Sequence, residues 1–146
     1  MESLRSRLKE LEDAVGERES FREDTFSELA KSRRERWALR YGMLEAVQIV
    51  IDVACMVVSH EDLGYPKSYA ECLRILGRSG RIDEALAERL ARAVGLRNVL
   101  VHDYLDVNDR LVYESLENLD DLRAFARQIA DPGSSRSDGA NRASDR

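Results

Sequence analysis

Leu4, Leu8, Leu11 and Val15 recur in alternating steps of four and three residues, a spacing that predicts one amphipathic helix ending near Gly16. A helix of that length is stable only when its apolar stripe is docked. Thr25 and Glu28 have capping-box spacing, so a second helix is expected to open there and run to about His60. Its apolar positions Trp37, Tyr41, Leu44, Ile51, Cys55 and Val58 form a 4-3-7-4-3 series, with Gln48 filling the missing step, as in a seam packed against neighbouring helices. From Ile49 to Val58 the pattern is apolar nearly all round, which makes this half the expected central element of the core. Asp52 lies inside that stretch, either at a polar gap between helices or paired with an arginine.

Gly64-Tyr65-Pro66 interrupts the pattern, and Ser68 with Glu71 repeats the capping-box spacing at the start of a short third helix through Leu76, closed by Gly77 and Gly80. A fourth helix is expected from about Asp83, carrying Leu86, Leu90, Ala93, Val94 and Leu96. A fifth should begin after Asn108 or Asp109 and bury Val112, Leu116, Leu119, Leu122, Phe125 and Ile129. Asp131-Pro132-Gly133 stops it. The segment beyond has no large apolar residue, so residues 132–146 are expected to be a disordered tail after a single helical domain over residues 1–131. No repeat and no strand-like alternation is found. The fold class is therefore all-α, an antiparallel bundle of about five helices around the long one.

Composition agrees: 43% apolar and 35% charged residues with only two prolines suit helices with one buried and one charged face. Cys55 and Cys72 lie in apolar patterns without metal-ligand spacing, so two buried reduced thiols are expected, with neither a zinc site nor a disulfide framework. The chain starts Met1-Glu2-Ser3, without a basic region leading into an apolar run. The apolar stretch Ile49 to Val58 is broken by Asp52 and too short to span a bilayer, so a cytoplasmic protein with no membrane partner is expected. A net charge of -5 excludes a general nucleic-acid coat protein, which needs a basic surface. It leaves room for a nuclease with one local positive field. Lys31, Arg33, Arg34, Arg36 and Arg40, opposed only by Glu35, supply either part of such a field or a solvated helix face.

Chemistry concentrates in Arg97-Asn98-Val99-Leu100-Val101-His102-Asp103-Tyr104. Histidine can take a proton from a ribose 2'-hydroxyl or give one to a leaving 5'-oxygen, an effect typically worth about 100- to 10,000-fold. Arginine can grip a phosphate through two parallel charge-assisted hydrogen bonds. Asn98 can orient the imidazole or an RNA oxygen. On an unbroken helix Arg97 and His102 point about 140° apart, whereas Asn98 and His102 differ by about 40°. Either the helix unwinds near His102 or two copies of the motif meet across a two-fold axis. Nothing in the motif requires a metal or other cofactor. On spacing alone, a half-buried structural histidine fits His102 equally; His60, at the end of the long helix, reads as a capping or surface residue.

The stretch Val94 to Tyr104 resembles the signature of the HEPN superfamily and, within it, the HepT toxins: arginine, a polar residue, a short apolar stretch, histidine, any residue, tyrosine. Gly64 to Glu71 with Leu73 and Leu76 resembles the segment before the family's motif helix, and Val112-Tyr113 resembles the start of its C-terminal element. The likeness covers roughly Leu39 to Ile129. It implies a helical homodimer with a composite cleft, metal-independent endoribonuclease activity on tRNA or mRNA, and a nucleotidyltransferase antitoxin of the MntA type, as in a type VII-like toxin-antitoxin pair. It further implies that Arg97 and His102 are the catalytic pair, that Asn98 supports them, and that Tyr104 is the tyrosine modified with AMP. Seven residues on, Tyr104 would lie about 20° from the Arg97 direction, so AMP there would add bulk and negative charge beside the guanidinium. Some relatives are instead non-catalytic helical modules that partner a nucleotidyltransferase, and that alternative stands beside the nuclease.

Overall fold

Ser32, rather than Thr25, opens the long helix. Ser32 has extended backbone and its side chain accepts the Glu35 amide at 3.2 Å, a capping bond of the same spacing as the one expected upstream. The Thr25 bond also forms, with Glu28 N donating to Oγ1 at 3.2 Å, but the non-helical Ser32 separates that turn from the helix proper. The computed structural model describes residues 2–19, 21, 25, 27–28, 31–102, 109–114 and 118–131. Among them are six helices and no strand: α1 (Glu2–Glu19), α2 (Arg33–His60), α3 (Tyr69–Arg78), α4 (Glu84–His102), α5 (Asp109–Glu114) and α6 (Leu119–Ala130).

The all-α bundle is as the pattern predicts, with further adjustments to its elements. α1 runs past Gly16 to Glu19, and the expected fifth helix is two helices, α5 and α6. Leu116 and the tail over 132–146 lie outside the described residues. Ser68 caps α3 as expected, accepting the Glu71 amide at 3.1 Å. Gly80, at φ 76°, makes the left-handed turn after that helix. Gly77 does not end α3 but sits within it, where a Cβ would come 2.7 Å from the Cβ of Ala87; its missing side chain is what lets α3 and α4 approach so closely.

α2 is the central element. α1 lies against it and against α6, while α3 and α4 pack on each other and on α2. Val47, Ile49, Val50, Ile51, Val53, Ala54, Val57 and Val58 are buried, joined by Leu8, Leu11, Leu73, Leu76, Leu86, Leu90, Leu122 and Phe125 from the surrounding helices. By length and composition alone α2 is apolar enough to cross a membrane, contrary to the reading of Ile49 to Val58 as too short, but most of it is buried inside the bundle, as the core helix of a helical domain would be.

Two expectations are corrected. The seam of α2 is not continuous: Ile51 and Val58 are buried, but Trp37 and Tyr41 are 47% and 65% exposed, and the buried positions at that end are Leu39, Gly42 and Met43. The neighbouring helices cover a face rotated from the aromatic one, which periodicity alone cannot reveal. Cys55 and Cys72 are also not separate thiols. They form a disulfide between α2 and α3, their Cα atoms 5.3 Å apart, because the chain reverses between the two helices and lays one beside the other.

Polar ties close the far end of the bundle. Arg81 is 8% exposed; its Nε donates to both carboxylate oxygens of Glu61 at 3.1 Å, and Nη1 and Nη2 donate to the carbonyls of Gln128 and Ile129, both at 3.3 Å. It thereby satisfies orphan carbonyls in the last turn of α6 while pairing with the residue that caps α2. Gln128 in turn accepts the Asp83 amide at 2.9 Å and donates to the Asp83 carboxylate at 3.0 Å. On the surface, Arg74 of α3 donates to both oxygens of Glu88 on α4 at 3.2 and 3.3 Å, and this hydrogen-bonded guanidinium holds the Glu88 carboxyl below its usual range.

Candidate functional site

α4 is an unbroken helix from Arg97 through His102, so the backbone carries the two residues around by the full rotation of five helical positions. Arg97 is partly buried and reaches across to α2, where its Nε donates to Gln48 Oε1 at 3.0 Å. Its Nη1 donates to Asn98 Oδ1 at 2.9 Å. Gln48 is held from its other end, its Nε2 donating to Asp52 Oδ1 at 2.9 Å, and Asp52 Oδ2 lies 3.7 Å from Arg7 Nη2 on α1. Three helices thus contribute to one polar line, Arg7, Asp52, Gln48, Arg97 and Asn98. From α3, the ring of Tyr69 lies under the guanidinium, 5.4 Å from Arg97 Cζ to the ring centroid.

Asp52 has the second of its two expected settings, pairing with an arginine. Gln48, which the periodicity placed only as a gap in the seam, is the contact that fixes Arg97. The signal for both was their spacing: two polar residues four apart in an apolar helix share a face and read as one buried polar contact. Tyr69 carried no comparable signal, since only packing of α3 on α4 brings it under Arg97.

Arg97, Gln48, Asp52, Tyr41, Leu44 and Val101 line a surface pocket of about 350 Å³. The site is an open concavity whose wall carries both signs of charge, Arg7 and Arg97 with Glu10, Glu45 and Asp52, and the anchored Arg97 guanidinium is the group on it that can meet an anionic ligand. Asn98 is exposed, its carbonyl oxygen engaged by Arg97. His102 is the last residue of α4; its side chain, and the whole of Tyr104, lie outside the described residues. Of the basic stretch, Lys31, Arg33 and Arg34 are exposed and Arg36 and Arg40 partly buried, all at the N-terminal end of α2. Among the described residues there is no group of three or more potential metal ligands.

Comparison with known proteins bears on this site. Residues 11–129 match the family model described as Ribonuclease HepT-like. Over 76 residues the chain is 34% identical to the mRNA nuclease HepT of Shewanella oneidensis, a match covering 51% of this chain and 57% of that protein. Two solved structures share the fold. A toxin-antitoxin structure with AMP-PNP superposes with a TM-score of 0.81 at 21% identity, over 89% of this chain and 98% of that one. The tri-AMPylated HEPN toxin of Shewanella oneidensis in complex with MNT antitoxin superposes with a TM-score of 0.79 at 22% identity, over 87% and 96%. The family match encloses the motif helix, the Gln48 contact that holds Arg97 and nearly all of the bundle around them, and the chain belongs to the HepT-like ribonuclease family.

Proposed function

We propose that this protein is the toxin of a type VII-like toxin-antitoxin pair, a cytoplasmic, metal-independent endoribonuclease whose catalytic pair is Arg97 and His102. The observation that carries the reading is the anchoring of Arg97: a guanidinium held by Gln48 on the wall of an open pocket, within a family of ribonucleases. In this reading His102 takes the proton of a ribose 2'-hydroxyl, the freed oxygen attacks the adjacent phosphorus, and the bond from phosphorus to the 5'-oxygen breaks, with a protonated imidazole returning a proton to that oxygen. Arg97 stabilises the negative charge gathering on the phosphate oxygens, and Asn98 supports it. The products are a 2',3'-cyclic phosphate and a 5'-hydroxyl, and no oxidant or cofactor is consumed.

Geometry supports a homodimer in this reading. Because α4 stays helical through His102, one copy turns Arg97 and His102 about 140° apart, and a two-fold axis beside the motif lets Arg97 of one copy and His102 of the other face one phosphate. Val101, 44% exposed and about 40° from the Arg97 direction on the motif helix, gives that axis an apolar residue to bury. Control is by an MntA-type nucleotidyltransferase that attaches AMP to Tyr104, a reading supported by the tri-AMPylated toxin of similar fold in complex with MNT antitoxin.

The test is purified chain on single-stranded RNA. Wild type should cleave equally with and without EDTA, and light scattering should report twice the 16.6 kDa chain mass. Arg97→Ala and His102→Ala should each lose activity by about 100-fold or more with helix content and mass unchanged. Cleavage that survives His102→Ala rejects the catalytic assignment. A wild-type protein that binds the nucleotidyltransferase but cuts no RNA identifies the non-catalytic module instead.

A further inference from the structure

The aromatic residues that the seam pattern would bury form an exposed ridge leading to Arg97. On α2, residues 33, 37, 41, 44 and 48 advance by four, four, three and four, and so share one face over about 22 Å of helix. At its start the Arg33 guanidinium stacks on Trp37, 4.4 Å from Cζ to the ring centroid. Trp37 and Tyr41 follow, 47% and 65% exposed. At its end Tyr41, Leu44 and Gln48 line the same pocket as Arg97, which Gln48 holds.

Charge identifies the occupant. Residues 31–40 carry five cations and one acid in a chain whose net charge is -5, and of these cations Lys31, Arg33 and Arg34 are exposed beside the rings. A two-fold axis passing at Arg33 to Trp37 would set this basic segment against itself, which is unfavourable, and the axis proposed above lies further along, beside the motif helix. A polyanion with flat unpaired faces meets both features: phosphates at the cations and bases on the rings. Duplex RNA meets only the first, since its base faces are already stacked within the helix.

We infer that the Arg33, Trp37 and Tyr41 face of α2 is a single-stranded RNA track that delivers the strand to Arg97. The inference rests on the ribonuclease reading for its purpose but not for its measurement. Stacking is tolerant of base identity, so the track selects unpaired RNA over duplex and sets affinity without choosing a sequence.

Trp37 is the chain's one tryptophan, so its fluorescence reports on the track alone. Full-length His102→Ala protein, which cannot complete cleavage, is titrated with a single-stranded oligouridylate, with a blunt RNA duplex of equal length, and with inorganic phosphate. The single strand should quench the emission saturably, and phosphate should not. By anisotropy, Trp37→Ala combined with Tyr41→Ala should weaken single-strand binding by at least about 10-fold, Trp37→Phe should retain most of the affinity, and the mass by light scattering should stay that of the parent. Unchanged affinity in the double variant, or a fall to half the parent mass showing that the ridge joins two copies, overturns the inference. Quenching by RNA in a protein whose wild type cuts nothing would keep the track and remove the nuclease. Normal cleavage with no quenching would remove the track alone.

Discussion

Gln48 Oε1 accepts a 3.0 Å hydrogen bond from Arg97 Nε, joining α2 to the motif helix across 49 residues of sequence. The orientation of the amide is not free. Asp52 accepts from Gln48 Nε2, so the NH2 end must face Asp52 and the carbonyl end must face Arg97. Asp52 is itself steadied by Arg7. Gln48 is thus a positioning residue: it turns a long, flexible side chain into one with a set direction before any ligand arrives.

Gln48→Ala should therefore lower kcat for RNA cleavage by about 10- to 100-fold with a smaller change in KM, while the mass in solution and the helix content stay as in wild type. Asp52→Asn, which removes the charge but keeps the shape, should give a milder loss in the same direction. Steady-state kinetics on a fluorogenic RNA reads both. Equal losses of activity and folded protein would assign Gln48 to stability alone.

Under the control proposed above, Tyr104→Phe removes only the hydroxyl that would take AMP, so the variant should remain toxic when expressed alone and escape an MntA-type antitoxin. Intact-mass spectrometry after co-expression with an MntA-type nucleotidyltransferase should show wild type heavier by one or more AMP units and Tyr104→Phe unshifted. An unshifted wild type whose toxicity is nonetheless neutralised would mean control by occlusion.

Arg81→Met should destabilise the bundle by about 3 kcal/mol, because it strips the last α6 carbonyls of their donors and Glu61 of its partner. Glu61→Gln should cost about 1 kcal/mol, since its side chain is 35% exposed and keeps access to water. Urea unfolding separates the two. Equal costs would show that the carbonyl bonds add nothing beyond the ion pair.

The Cys55–Cys72 disulfide closes a separation of 17 residues, a loop for which a cross-link adds roughly 3 kcal/mol. Added reductant should open the pair to two thiols, and mild oxidation should close it again. Alkylation followed by mass spectrometry should count two labels on protein isolated under reductant and none after oxidation, with a higher Tm for the oxidised form. Equal Tm in both states would show that the contact between α2 and α3 does not depend on the bond.

Much of the molecule is legible in the order of its residues. Helix class, the cap at Ser68, the central place of Ile49 to Val58 and the Arg97 motif all rest on local rules: capping bonds span three residues and amphipathic periodicity repeats within two turns. Those rules act along one helix, so they are written along the chain. What they cannot say is which face of a helix its neighbours cover. That choice exposed Trp37 and Tyr41 where the seam pattern would bury them, brought Cys72 beside Cys55, and set Gln48 of α2 and Tyr69 of α3 around Arg97 of α4. Each of these depends on how separate helices dock, a property of packing between elements far apart in sequence. Local order along the chain sets the helices and the chemical motif, whereas the docking of helices sets what holds Arg97 in place and which aromatic face stays open beside it.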